Sequence, residues 1–392
     1  MPKKKLIYLD HASTTPVRDE VLQAMRPFFS LHYGNPASLH TEGRIAQKAL
    51  TDSRKKISDI TGSQPDAIIF TSSGTESDNL AIFGATGALR DRGRHIISVG
   101  IEHHAVIEPL KQLETQGWSV TYISPDKTGL IDPEKIFSAI TPQTVLITVM
   151  YANNEVGTIL PIAEIGKRLL QYRKARNSEL PYFHTDACQA AGYLDLSVEK
   201  LHVDLMTLNS GKIYGPKGVG MLYVRRGVKI QAQQFGGGQE RGLRAGTENI
   251  PGIVGFAAAL ELAQKEKIKE TARLTKLTDY FWKQLKKLVP EASLNGPLVG
   301  EDRLPNNLSI TFPGMNGEQL LIYLDNEGVM CSTASACAAI SDEPSHVLCA
   351  LQISAQDIRS TLRFSLGRST TKQDIDYTIQ AIRKIKKLLP SR

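Results

Sequence analysis

The sequence predicts an α/β protein, with a mainly parallel, doubly wound sheet in a large domain followed by a smaller α+β domain. Three observations carry that expectation. Short apolar runs alternate with amphipathic helical stretches over some 160 residues, the order that builds parallel sheets. Those runs lack the polar/apolar alternation of a half-exposed strand. Beyond Gly236–Gly238 the alternation gives way to one long helical stretch.

In chain order, the candidate strands are Ala67–Phe70, His95–Val99, Ser119–Ile123, Thr144–Met150, Tyr182–Thr185, Asp204–Leu208 and Val219–Val224. Most are rich in Val, Ile, Thr and aromatics, as strands buried on both faces should be. Helical patterns fill most gaps: Asn79–Arg92 stopping at Gly93, Val106–Gln116 stopping at Gly117, and Ile162–Lys174. The stretch Gly252–Leu288 then leads to a strand candidate, Asn307–Phe312, a helix near Gly317–Glu327 and a last helix, Thr371–Leu389. A single core rarely grows beyond roughly 250 to 300 residues, so the 392 residues are expected to form two domains. The large one spans 12–255, and the small one spans 256–392 together with residues 1–11.

Composition narrows the function classes. Hydrophobic residues make up 41% and charged residues 22% of the chain, an ordinary globular balance. The 47 Lys and Arg exceed the 40 Asp and Glu to give +7. The lysines sit at Lys3–Lys5 or within helical patterns mixed with acids, which reads as solvated faces rather than a nucleic-acid surface. An acidic protein partner fits that surplus more economically. The four cysteines form no CxxC pair, so a disulfide framework is excluded and a reducing, cytoplasmic location is expected. No signal-peptide pattern opens the chain. The longest apolar candidate, near Ile250–Leu260, is broken by Pro251, Gly252 and Gly255, so no membrane span is expected.

Three strand ends carry chemistry. Ile69–Glu76 runs from strand into helix, with Ser73 and Glu76 at capping-box spacing, and such a turn aims backbone amides at one point suited to a phosphate. Capping boxes also serve helices that bind nothing. In Phe183–Gln189 an acid, Asp186, ends a buried strand, where ligands of doubly wound sheets bind. Lys212 follows the next strand among small residues, placed for covalent work with carbonyls. A P-loop is excluded because Lys217 is followed by Gly218 and no helix pattern follows.

Together these residues resemble fold-type-I pyridoxal-phosphate (PLP) enzymes and, more narrowly, the cysteine desulfurases of iron-sulfur assembly. Tyr8–Thr15 is similar to that family's opening, and Glu102–Val106, Asn153–Gly157, Asp186–Gln189, Gly236–Thr247, Ser335–Cys337, Glu343–Leu348 and Arg363–Arg368 follow in family order. Each piece alone is weak, while the ordered set covers nearly the whole chain.

The resemblance implies roles position by position. Lys212 would hold PLP covalently and later move the substrate's α proton. Asp186 would keep the pyridine nitrogen protonated, which makes the ring an electron sink. Gln189 would bond the phenolic oxygen, and His103 would stack on the ring and shuttle protons. Gly74 and Thr75 would bind the phosphate, with Asn209, Ser210 and Gly211 beside it. Thr247 would reach the phosphate of a neighbouring subunit, implying a homodimer. Arg363, helped by Asn154, would fork onto the substrate carboxylate. Cys337 would attack the sulfur of L-cysteine, releasing L-alanine and leaving a persulfide for an iron-sulfur scaffold or other acceptor. Through that persulfide it would also be a transient iron-sulfur ligand; no other metal site is expected. A selenocysteine or cysteine-sulfinate lyase, or a non-catalytic platform of the same fold, stays open.

The segment Cys331–Glu343 is Ser- and Ala-rich, as a mobile loop carrying Cys337 would be. Cys188 reads as a small core residue or a neighbour of the cofactor. Cys331, Cys349 and His346 match no zinc spacing. The chain also departs from the family's pattern. Asn209-Ser210-Gly211 stands where Ser-Gly-His is usual, which removes a phosphate-holding histidine that Ser210 is expected to replace. Ala334 stands for a usual Gly, Gln239 for a usual His and Cys349 for a common Arg.

Overall fold

Along the strands of the large sheet, neighbouring side chains enter different cores, which is why their sequence pattern is a run rather than an alternation. The computed structural model describes residues 6–333 and 344–388. Its strands are β1 (Ile7–Tyr8), β2 (Ile68–Thr71), β3 (His95–Val99), β4 (Ser119–Ile123), β5 (Thr144–Thr148), β6 (Tyr182–Asp186), β7 (Leu205–Asn209), β8 (Gly220–Val224), β9 (Ser293–Asn295), β10 (Asn307–Thr311), β11 (Val329–Met330), β12 (Ser332–Thr333) and β13 (Thr361–Ser365). Its helices are α1 (Asp19–Met25), α2 (Pro27–Ser30), α3 (Thr41–Thr61), α4 (Gly74–Leu89), α5 (His104–Thr115), α6 (Pro133–Ser138), α7 (Ile162–Ala175), α8 (Val198–Leu201), α9 (Ile250–Leu288), α10 (Gly317–Asn326), α11 (His346–Ala350), α12 (Ala355–Arg359) and α13 (Lys372–Leu388).

The seven-stranded sheet has the order β2-β8-β7-β6-β5-β3-β4. From β7 to β4 every pairing is parallel, and β8 runs antiparallel to both its neighbours. Ile96, Tyr182, Leu205 and Leu222 pack with Leu80 and Ile82 of α4 and Leu110 of α5. Their neighbours Ile97, Phe183, Met206 and Met221 pack on the other side with Leu50, Leu169 and Phe256. Each such side chain contributes roughly 1.5 to 3 kcal/mol of burial free energy.

The expected strand Thr144–Met150 ends at Thr148. The reason is local: Met150 N leaves the ladder and donates a 2.6 Å hydrogen bond to Glu102 Oε1. Helices α1 to α3, for which the sequence reading assigned nothing, precede β2.

A second core lies in the C-terminal part. The sheet β12-β13-β10-β9 is antiparallel, and Leu308, Ile310 and Phe364 pack there with Phe281, Leu285, Ile375 and Ile382. Ile7 and Leu9 belong to this core, because β1 pairs parallel with β11. Helix α9, 39 residues long, serves both cores, with Ile253–Leu260 in the first and Leu274–Leu285 in the second. It starts two residues before the expected Gly252 because the Asn249 side chain accepts from Gly252 N at 3.1 Å and caps it.

Candidate active site

The carboxyl ends of β3, β5, β6 and β7 open into a cavity of about 710 Å³. Gly74, Thr75, His103, Asn154, Asp186, Gln189, Asn209, Lys212 and Arg363 all line it. Arg363 comes from β13 of the second core, so the cavity has walls from both.

Asp186 is the last residue of β6, buried and facing the same side as His184. One carboxylate oxygen, Oδ1, accepts from Cys188 N at 2.9 Å, which fixes the group's orientation. Lys212 ends the 3₁₀ turn that follows β7, and its Nζ donates to the carbonyls of Ala12 at 3.1 Å and Ser13 at 2.6 Å. Gln189 Nε2 donates to the same Ala12 carbonyl at 3.0 Å. His103 caps α5, its Nδ1 accepting from Ala105 N at 3.1 Å, so the neutral ring carries its proton on Nε2. Burial lowers its pKa, only partly opposed by the Asp186 charge.

The first turn of α4 forms one end of the cavity. Ser73 Oγ accepts from Glu76 N at 3.1 Å, while Glu76 reaches back to Ser72 N at 2.7 Å, a capping box shifted by one residue. Arg244 Nε donates to Glu76 Oε1 at 2.8 Å and ties the loop bearing Thr247 to this turn. Asn209 faces Gly74: a Cβ built there would lie 3.5 Å from Asn209 Nδ2 and 2.9 Å from Cys188 Sγ.

Three predicted residues lie off the cavity lining. The Ser210 side chain is buried against Gly215, with no hydrogen-bond partner for Oγ among the described residues. The turn directs it inward, and Asn209 is the polar side chain of this turn that lines the cavity. Gly211 leaves space, a Cβ meeting nothing closer than Asn209 Oδ1 at 3.5 Å. Thr247 is exposed. Cys337 and the expected mobile segment up to Glu343 fall largely on residues 334–343, outside the described residues.

Sequence reasoning missed the acids behind Asp186. Asp78 and Glu102 line the cavity fully buried, and burial followed by the charge of Asp186 pushes both carboxyls well up. Asp78 Oδ1 lies 3.6 Å from His184 Nε2, and the His184 ring is held between Thr148 and Thr207 hydroxyls at 2.9 and 3.1 Å. It also missed Asp10 and the backbone of Ala12 and Ser13, although the motif Tyr8–Thr15 contained them. Among the described residues no cluster of three or more His, Cys, Asp or Glu could hold a metal ion.

The donor set fits PLP. A primary amine and an oriented carboxylate at neighbouring strand ends suit its aldehyde and its pyridine nitrogen, and the capped first turn of α4 suits its phosphate. A Cβ at Gly74 would narrow that cradle.

Comparison with known proteins agrees with this geometry. The chain is 46% identical over 382 residues to a cysteine desulfurase IscS of Dictyoglomus turgidum, covering 97% of this chain and 95% of the relative. It is 45% identical over 383 residues to the IscS of Methanosarcina thermophila, covering 98% and 92%. A solved NifS-like protein superposes with a TM-score of 0.91 at 37% identity, covering 98% of this chain and all of that one. Residues 7–378 match the aminotransferase class-V family model. By these matches, which run almost end to end, the chain belongs to the class-V aminotransferase family.

Proposed function

We propose that the protein is a PLP-dependent cysteine desulfurase that converts L-cysteine to L-alanine and passes the sulfur, as an enzyme persulfide, to an acceptor such as an iron-sulfur scaffold. The observation that carries this reading is the convergence of Lys212, Asp186 and Arg363 on one cavity. The IscS relatives support the substrate and the sulfur-transfer step.

Lys212, with Asp186 and the first turn of α4, would hold PLP, and Asn209 would stand beside the phosphate. Bound PLP supplies an electron sink for the pair released when the substrate's Cα–H bond breaks. The Lys212 amine moves that α proton. Arg363 holds the substrate carboxylate, oriented by the Asn154 carbonyl, which accepts from Nη1 at 2.9 Å. The Cys337 thiolate attacks the substrate sulfur: an S–S bond forms, the Cβ–S bond breaks, and Cβ gains a proton to give alanine. His103, with its Nε2 proton in the cavity, is the donor in reach of that chemistry.

The protein acts as a homodimer in which Thr247 meets the partner's phosphate site. Phe235, 87% exposed in the same loop region, and Phe29, Leu31 and Tyr33, each more than half exposed, support a covered face. A cytoplasmic location agrees with Cys188, Cys331 and Cys349 being unpaired thiols. Among the described residues no helix is long and apolar enough to cross a membrane.

The test is direct. Borohydride should bleach the imine absorbance of purified protein and mark Lys212. Cys337→Ala should keep the colour and lose sulfide release from cysteine; full turnover in that variant would sink the nucleophile assignment. The same variant acting on selenocysteine or cysteine sulfinate would favour the lyase reading, and a colourless protein that PLP cannot reconstitute would favour the platform.

A further inference from the structure

Arg363 lies mid-strand in β13 and is only 3% exposed, yet its guanidinium already has a carboxylate on it. Nη2 donates to Asp10 Oδ1 at 2.9 Å and to Ser13 Oγ at 2.7 Å. Ser13 Oγ in turn donates to the same Asp10 oxygen at 2.9 Å, closing a three-membered ring of hydrogen bonds. Nε is buried with no hydrogen-bond partner among the described residues.

Asp10 is not a wandering surface partner. Its backbone forms a parallel bridge to Ser365, two residues beyond Arg363 on the same strand, and His11 N donates to the Ser365 carbonyl at 3.2 Å. The carboxylate is thus placed by main chain on both sides. Its side chain is 20% exposed, so it is neither stranded in the core nor dissolved in water.

We propose that Asp10 is a resident carboxylate on Arg363, one that every α-carboxylate entering the cavity has to share. This rests on the reading that Arg363 takes the substrate carboxylate. Two anions on one guanidinium repel each other, and in a partly buried setting that repulsion is poorly screened. Asp10 therefore weakens the hold on both L-cysteine and L-alanine, and its consequence is release of the product. Because the ring also fixes the guanidinium plane, Asp10 positions Arg363 while reducing its pull. It is a positioning residue.

Asp10→Asn separates the two effects, since the amide oxygen can still accept from Nη2 and Ser13 while the charge is gone. Holoenzyme of the wild type, Asp10→Asn, Asp10→Glu and Arg363→Ala would be titrated with L-alanine and with ethylamine, which lacks the carboxylate, by calorimetry and cofactor absorbance. Asp10→Asn is expected to bind L-alanine about tenfold tighter, the change worth one like charge nearby, with a matching fall in KM for L-cysteine and no rise in kcat. Ethylamine affinity should not move, and Asp10→Glu should bind alanine no tighter than wild type.

Alanine binding that is unchanged or weaker in Asp10→Asn, while Arg363→Ala weakens it at least about tenfold, overturns the proposal and leaves the role of Arg363 standing. Equal tightening of ethylamine also overturns it, since the charge would then not be the cause. Unchanged alanine binding in Arg363→Ala overturns the reading of Arg363 and the proposal with it. Asp10→Ser provides a second uncharged variant if Asp10→Asn does not fold.

Discussion

Ser345 Oγ donates a 2.5 Å hydrogen bond to Glu155 Oε2, joining the residue that caps α11 to the loop after β5. Both side chains are buried. Burial pushes the Glu155 carboxyl up to about 7, against the pull of Ser345 and of the Arg363 charge. A carboxyl whose pKa is raised on folding contributes stability below the ordinary carboxylate range, and that contribution is lost as pH rises toward the folded value. Glu155→Gln should therefore flatten the dependence of unfolding free energy on pH between about pH 4.5 and about pH 7, removing a change on the order of 1 to 3 kcal/mol. Parallel profiles for the two proteins would contradict this.

Gly211 is buried beside Asn209, and an added Cβ would meet only ordinary contacts, Asn209 Oδ1 at 3.5 Å and Lys217 Cγ at 3.7 Å. Gly211→His should fold with little change in Tm and hold PLP about tenfold or more tightly, since a hydrogen bond to a charged group contributes about 1.5 to 3 kcal/mol. The dissociation constant, read from quenching of protein fluorescence, checks it. No gain in affinity would mean that Asn209 already satisfies that side of the phosphate.

Gly74 is the opposite case, because its added Cβ would lie 2.9 Å from Cys188 Sγ. Gly74→Ala should destabilise the protein by about 1 to 3 kcal/mol, the usual range for overpacking, and weaken PLP binding. Cys188→Ala removes the obstructing sulfur. The double variant should recover part of the loss, with a coupling energy of about 0.5 kcal/mol or more by thermal melts. Strict additivity would show that the strain lies elsewhere.

His103 both caps α5 and presents Nε2 to the cavity. His103→Asn keeps a good N-cap and removes the ring, so stability should stay within about 1 kcal/mol of wild type. Its kcat should fall about 10²-fold or more, the usual contribution of general acid-base catalysis. Because burial holds the imidazole below its ordinary pKa, the limb that His103 contributes to the wild-type kcat/KM profile should lie below the usual histidine range and be absent from the variant.

The large sheet was legible because most of its strands are buried on both faces: His95–Val99 is a fully buried strand at the residues its apolar run marks, and the edge strand Ser119–Ile123 falls where its β-branched run marks although only Ile123 is buried. Asp186 and Lys212 were legible because each ends a strand or follows one closely. Strand β13 was not, since a charged residue, Arg363, is buried at its centre and interrupts the apolar run. Its burial makes sense only beside Asp10 and Ser13, whose pairing with it no local pattern can announce. Ser210 illustrates a related limit: the resemblance implied that it stands near the phosphate, but the 3₁₀ turn decides which way its hydroxyl faces.

Asp10 and Arg363 are 353 positions apart, and that interval has a consequence during synthesis. A ribosome releases Asp10, Ala12 and Ser13 long before the guanidinium they serve. Until then Lys212 and Gln189 can find their carbonyl partners but the carboxylate-binding corner cannot exist. A nascent chain is therefore held from turning over amino acids until Arg363 has emerged, and closing so long a loop should make this corner one of the slower parts of the molecule to assemble.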